Sequence, residues 1–258
     1  MKPPASRKGA TRTTDIPPQV LEALSIGDLS TATLAEGLAI DQARLLRTVF
    51  PDLSKRALGK VEAACRLGIL KRMTGIGALL LEDLGTPGID RCRKHGADTV
   101  RGWACFMIGA QPALSLADRL AAIRPLADDA HFGVREWAWL AVRPHLAREL
   151  DAAIGHLAGW TTSPSERLRR FASEVLRPRG VWCAHIPALK QQPQRALTLL
   201  ASLRADSSVY VQDSVANWLN DAAKDQPDWV RQICAQWLRD CQDSSTRRIC
   251  QRGTRSLP

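Results

Sequence analysis

Four segments of this chain repeat one pattern: DTVRGWACFMIGA at 98–110, HFGVREWAWLAVRP at 131–144, SERLRRFASEVLRP at 165–178 and SVYVQDSVANWLND at 208–221. Aligning Val100, Val134, Leu168 and Val211 gives offsets of 34, 34 and 43 residues. In the first three, an arginine follows the aligned apolar residue, and Trp or Phe followed by Ala comes two positions later. A period of this length built from two helices cannot bury its apolar stripe alone. Neighbouring units must stack, and the expected product is a HEAT-like helical-repeat superhelix with a concave surface.

The rest of the sequence agrees with an all-α fold. Apolar residues recur at spacings of three and four, and β-branched alternation is nearly absent. Pro18–Ile26, Leu34–Phe50, Ser54–Leu67 and Ile76–Leu84 read as amphipathic helices closed by Gly or Pro. TRRICQRGTRSL at 246–257 reads as a last, frayed unit. Residues 17–258 are expected to form a single helical-repeat domain. The basic, Pro/Ser/Thr-rich residues 1–16 are expected to be a disordered tail.

Charge narrows the class of partner. Against 26 Asp and Glu stand 36 Lys and Arg, for a net charge of +10, with eight Trp but one Tyr. Such a chain suits an anionic partner, although a solvated arginine surface over a Trp-filled core fits the same counts. The seven cysteines are odd in number and form no C-x-x-C, which reads as reduced thiols. Cys92 and His95 have metal-like spacing but lack a second pair, so no metal or other cofactor is expected. No apolar run is long enough to cross a bilayer, and no secretory leader is read. A cytoplasmic, nucleoid-associated monomer is the expectation.

The helix faces away from the core carry the candidate chemistry. On the 134–143 helix, Val134, Trp137, Ala138 and Ala141 form the core stripe, and Arg135, Glu136, Trp139 and Arg143 lie opposite. A Trp among charges is either a ligand-facing ring or packing against the next repeat. On the 168–177 helix, Arg169, Arg170, Ser173, Glu174 and Arg177 oppose the core; Arg170 and Glu174 are spaced for a simple surface ion pair. The 211–221 helix presents Asp213, Asn217, Asn220 and Asp221, an acidic stripe unexpected in so basic a protein. Arginine forks suit phosphate oxygens, whereas carboxylates among them suit a cationic ligand, as does the face of a Trp.

At FGVREWAWLAVRP, RLRRFASEVLRPRGVW and YVQDSVANWLNDAAKDQPDWV the sequence resembles the DNA alkylation repair family of HEAT-like glycosylases, the AlkC/AlkD superfamily, and its AlkC branch most closely. The resemblance runs from about residue 90 to the end. It implies a sequence-general binder of double-stranded DNA that removes cationic N3- or N7-alkylated purines, of the 3-methyladenine and 7-methylguanine type, without deep base flipping. Carried onto this chain, it implies Glu174 and Asp221 as catalytic carboxylates, joined by Glu136, with Trp182 and Trp139 against lesion or sugar. Arg170, Arg135, Arg143, Arg169, Arg177 and Arg179 would meet DNA. One position departs: the branch reads R-E-x-A-E, and here Glu136 is kept while Trp139 replaces the second acid. Two alternatives therefore stay open, a non-catalytic binder of damaged or branched DNA and a HEAT-repeat protein scaffold.

Overall fold

A computed structural model describes residues 7–257. The helices run in the order α1 (Pro18–Ile26), α2 (Leu34–Ala39), α3 (Gln42–Val49), α4 (Lys55–Cys65), α5 (Ile69–Arg93), α6 (Asp98–Ala110), α7 (Leu116–Ala127) and α8 (Phe132–Arg148). They continue as α9 (Leu150–Ala158), α10 (Glu166–Glu174), α11 (Pro187–Gln191), α12 (Leu197–Ser202), α13 (Val209–Ala223), α14 (Pro227–Asp240) and α15 (Ser244–Gly253). Among the described residues there is no strand. The fold is an all-α helical repeat.

These residues fall into two compact units. One holds the chain through Ala113 with Asp129–Ala141; the other holds Leu114–Asp128 and everything from Val142 onward. In the first unit, Leu45, Leu46, Met73, Ile76, Leu80 and Trp103 are buried, each such side chain contributing roughly 1.5–3 kcal/mol by leaving water. The expected 34–50 helix is broken in two because the Asp41 carboxylate accepts the Arg44 N–H at 2.9 Å and starts α3 afresh. α5 bends at Gly85, whose φ of +62° an L-residue would adopt only at a cost, followed by Pro87.

The expected tail behaves differently over the part that is described. Residues 1–6 lie outside the described residues, but Arg7 grips the buried Glu36 with both guanidinium nitrogens, at 2.7 and 2.5 Å. Glu36 also accepts the backbone N–H groups of Ala10 and Ala32, at 3.2 and 2.7 Å.

In the second unit α10 packs on α13, and α13 on α15. Leu168, Phe171, Val175, Val211, Val215 and Trp218 fill the space between them. The Trp218 indole N–H is satisfied by the Leu176 carbonyl at 2.9 Å.

The arginine that marks each repeat has a structural task. Arg101 donates to the carbonyls of His95 and Gly96, at 3.0 and 2.6 Å. Arg135 donates to those of Asp129 and Ala130, at 2.8 and 2.9 Å. Arg169 donates to those of Ser163 and Pro164, at 2.9 and 3.0 Å. Each guanidinium thus folds back onto the loop that precedes its own helix. In the fourth repeat Gln212 takes the same place, its amide reaching the Asp206 carbonyl at 2.8 Å.

The remaining nitrogens tie successive repeats together. Arg169 holds Asp206 through two bonds of 2.6 and 3.0 Å, and Arg101 holds Asp129 at 2.9 and 3.3 Å. Both aspartates also accept an N–H two residues on, from Ser208 at 2.9 Å and His131 at 2.7 Å, and so brace the turn that leads into the next helix. Replacing Arg169 by alanine leaves Asp206 nearly buried without its cation and frees two loop carbonyls. We expect a loss of about 2–3 kcal/mol, read as a lower urea midpoint. A midpoint within experimental error of wild type would remove this clamp from the fold's determinants.

Candidate nucleic-acid interface

The second unit gathers the predicted acids of α10 and α13 around one arginine. Glu174 ends α10 and is 4% exposed. Arg177 donates to Glu174 Oε1 at 3.0 Å and, through Nε, to Asp221 Oδ2 at 2.9 Å. The Ser214 hydroxyl donates to Glu174 Oε2 at 2.7 Å, and Arg170 stands 3.6 Å from the same oxygen. Ser173 and Ser214 share a further bond of 2.8 Å. Burial works against the charge on Glu174, but Arg170, Arg177 and the Ser214 hydroxyl outweigh it and hold the carboxyl below the ordinary glutamate value. Burial likewise opposes the charge on Arg177, and Glu174 and Asp221 outweigh it in turn.

The two carboxylates are held unequally. Both oxygens of Glu174 have close donors, whereas Asp221 Oδ1 faces the half-exposed ammonium of Lys224 at 3.9 Å. The acidic stripe that looked anomalous in the sequence is matched by arginines of neighbouring helices. Arg248 and Arg252 reach Asp213 at 2.7 and 3.1 Å, and Arg255 reaches Asn217 at 2.9 Å. One helix turn beyond Asp221, Asp225 takes Arg179 at 2.9 and 3.0 Å and Lys190 at 3.5 Å.

Trp182 sits in the irregular segment between α10 and α11. It is 49% exposed and has a φ of +62°, a conformation that bulky L-residues rarely take. Its neighbour Cys183 is close enough to Arg143, Arg177, Glu174 and Asp221 for their charges to act on the thiol, whose pKa burial raises.

Other predicted residues are placed differently. In the first unit Trp139 is 4% exposed rather than on an open face, and its indole N–H donates to Glu136 Oε2 at 2.8 Å. Arg135 and Arg169, expected on DNA, serve the loops and aspartates described above. Arg143 is buried against backbone carbonyls of Val175 and Arg177, at 2.7 and 2.6 Å. Arg177 and Arg179 are paired with Glu174, Asp221 and Asp225. Arg170 lies over the ring of Tyr210 at 4.5 Å. Sequence reading passed over Ser214, Tyr210 and Asp225. Ser214 and Asp225 lie seven residues before and four after Asp221, a spacing that puts each near its face.

Among the described residues no group of three metal-ligating side chains occurs, and no helix is long and apolar enough to cross a membrane. All seven cysteines are free thiols.

Fold and side-chain geometry define an all-α helical-repeat protein whose second unit encloses an arginine-bridged carboxylate pair and exposes a Trp in the segment that follows α10. The sequence model of the DNA alkylation repair enzyme family matches residues 126–247, the stretch that carries most of this geometry. The chain is 44% identical over 97 residues to the uncharacterized protein YhaZ of Bacillus subtilis (strain 168), covering 38% of this chain and 27% of the relative. The Pseudomonas fluorescens alkylpurine DNA glycosylase AlkC, solved bound to DNA containing an abasic site analog, superposes with a TM-score of 0.67 at 26% identity. That match covers 83% of this chain and 60% of the glycosylase. AlkD2 from Streptococcus mutans matches in fold, with a TM-score of 0.57 at 20% identity over 84% of this chain and 97% of its own. The chain thus spans well under two thirds of YhaZ and three fifths of the glycosylase.

The pH response of the Glu174 cluster follows from its sign. Glu174 titrates lower when folded than when unfolded, so its stabilisation is complete above the ordinary value of 4.5 and is lost as pH falls through its own lower value. Glu174→Gln should cost about 2–3 kcal/mol at pH 7. The gap from wild type should narrow as the pH drops below 4.5, as measured by urea unfolding across a pH series. A gap that stays constant down to acid pH would show that the Glu174 charge is not what stabilises the cluster.

Proposed function

We propose that this chain is a DNA alkylation repair protein that binds duplex DNA and hydrolyses the N-glycosidic bond of cationic N3- or N7-alkylated purines. The observation that carries this reading is the pairing of Asp221 and Glu174 with an exposed Trp182, inside the segment matched by the family. Alkylation already makes such a purine a cationic leaving group, so no acid need protonate it. What remains is to stabilise an oxocarbenium-like sugar and orient a water. Asp221 Oδ1 suits both needs, because Arg177 holds the other oxygen and leaves this one with only the half-exposed Lys224 ammonium nearby. Glu174 supports it through the shared arginine. Lys190 and Lys224, partly exposed around the cluster, suit the flanking phosphates.

The test is release of 3-methyladenine or 7-methylguanine from methylated duplex DNA, quantified by mass spectrometry. Wild type should release base, Asp221→Asn should fall by about a hundredfold and Trp182→Ala by about tenfold. Release no greater than that of the Glu174→Gln, Asp221→Asn double variant would refute the excision.

One observation favours a second reading, a non-catalytic binder of damaged or branched DNA. At the position where a second acid is expected, Trp139 supplies an N–H donor to Glu136 instead. On that reading Trp139→Glu raises excision from nothing, and wild type binds such DNA with a steep salt dependence that Glu174→Gln leaves intact. Excision that falls in Trp139→Glu would dispose of it.

A further inference from the structure

Arg143 is a buried cation that donates to backbone carbonyls. It is 2% exposed and donates to the carbonyls of Val175 at 2.7 Å, Arg177 at 2.6 Å and Ala184 at 3.1 Å. Those three carbonyls flank the segment that carries Trp182. Val175 and Arg177 lie at the end of α10, where backbone carbonyls lack helical partners and a cation is favoured. Ala184 lies on the far side of Trp182. One guanidinium therefore closes both ends of the same loop.

The loop is moulded around that guanidinium. Gly180 is buried, and a Cβ added there would stand 2.6 Å from Cys183 Sγ and 3.4 Å from the Arg143 Cζ. Between these fixed points Trp182 is held at its φ of +62° with half its surface in water. A relaxed loop would turn that ring toward apolar cover and drop the strained φ. The latch keeps the ring outward.

We propose that Arg143 is the positioning residue of this site: by latching the 175–184 loop it presents Trp182 as a rigid platform for the unstacked side of a damaged DNA duplex. The inference rests on the function proposed above, but the latch can be measured without DNA. Arginine is suited to the task because its planar fork spans three acceptors that lysine's compact head would not.

The experiment pairs Arg143→Met with Trp182→Ala, alone and together, and adds Gly180→Ala as a second way to disturb the loop should Arg143→Met fail to fold. Latching is read by limited trypsin cleavage after Arg179 and by the emission of Trp182, taken as the difference between proteins with and without it. Cleavage should be at least tenfold faster in Arg143→Met or Gly180→Ala, and the Trp182 emission should shift. Unchanged cleavage and emission would overturn the latch. Presentation is read by titration of duplex DNA containing a tetrahydrofuran abasic analogue. Trp182→Ala should weaken binding about tenfold, Arg143→Met by no more, and the double variant should match Trp182→Ala within a factor of about two. Losses that multiply would show that Arg143 does not act through Trp182 and would overturn the proposal. Wild type that fails to bind the analogue overturns the DNA reading, whereas the cleavage data still decide the latch.

Discussion

Two carboxylates withdrawn from water on facing helices, Glu174 and Asp221, need a cation between them if the helices are to pack side by side. Arg177 is that cation. Its reach fixes where α10 must end relative to α13, because Glu174 closes the first helix and Asp221 lies in the last turns of the second. Ser214 completes the shell around Glu174, so the group remains an anion despite its burial. The packing of Leu168, Phe171 and Val211 sets the helices side by side, but apolar contact is non-directional. The arginine bonds specify register.

The same logic recurs along the chain and explains why net charge is a poor guide to the surface. Arg101, Arg135 and Arg169 each fold onto a loop carbonyl pair, and two of them bind the aspartate that braces the turn before the next helix. Arg143 and Arg177 are likewise engaged inside the second unit. A net +10 therefore does not translate into a basic face of matching strength. Cations available to phosphate are those with a partly exposed head, such as Lys190 and Lys224.

How far the sequence could be read depends on whether a residue's role is periodic or particular. The repeat, the all-α class and the core stripes of Val100, Val134, Leu168 and Val211 follow from spacing alone, and all four are buried. The break between α2 and α3 was missed by reading 34–50 as one helix, because the apolar pattern runs on through Asp41, whose capping carboxylate starts α3 afresh. The loop contacts of the arginines were not foreseen, because a guanidinium on the polar side of a helix can reach six residues back to its own loop, a distance that helical-wheel reasoning does not register. For Trp139 the sequence left a ligand-facing ring and packing both open, and the ring is buried at 4% exposure: facing away from one core stripe does not mean facing water. The grouping of Glu174 with Asp221 was expected from family resemblance, while the arginine that joins them depends on the α10–α13 approach, which no local pattern encodes.

The segment holding Trp182 shows where this fold departs from minimal strain. A left-handed φ at a bulky residue costs of order 1 kcal/mol or more, and a half-exposed indole forgoes part of the burial that other Trp residues of this chain obtain. Neither cost is needed to connect α10 to α11, since a glycine at the same position would remove the first and a polar side chain the second. The loop is nevertheless anchored at both ends by Arg143 and packed over Gly180 so that this arrangement is retained. Strain that is over-determined by its surroundings, in the segment that follows the arginine-bridged carboxylate of α10, is what a binding surface requires and a mere connection does not. The repeat scaffold supplies the rigidity, and the Trp182 loop is the part of the second unit where stability is given up for a surface.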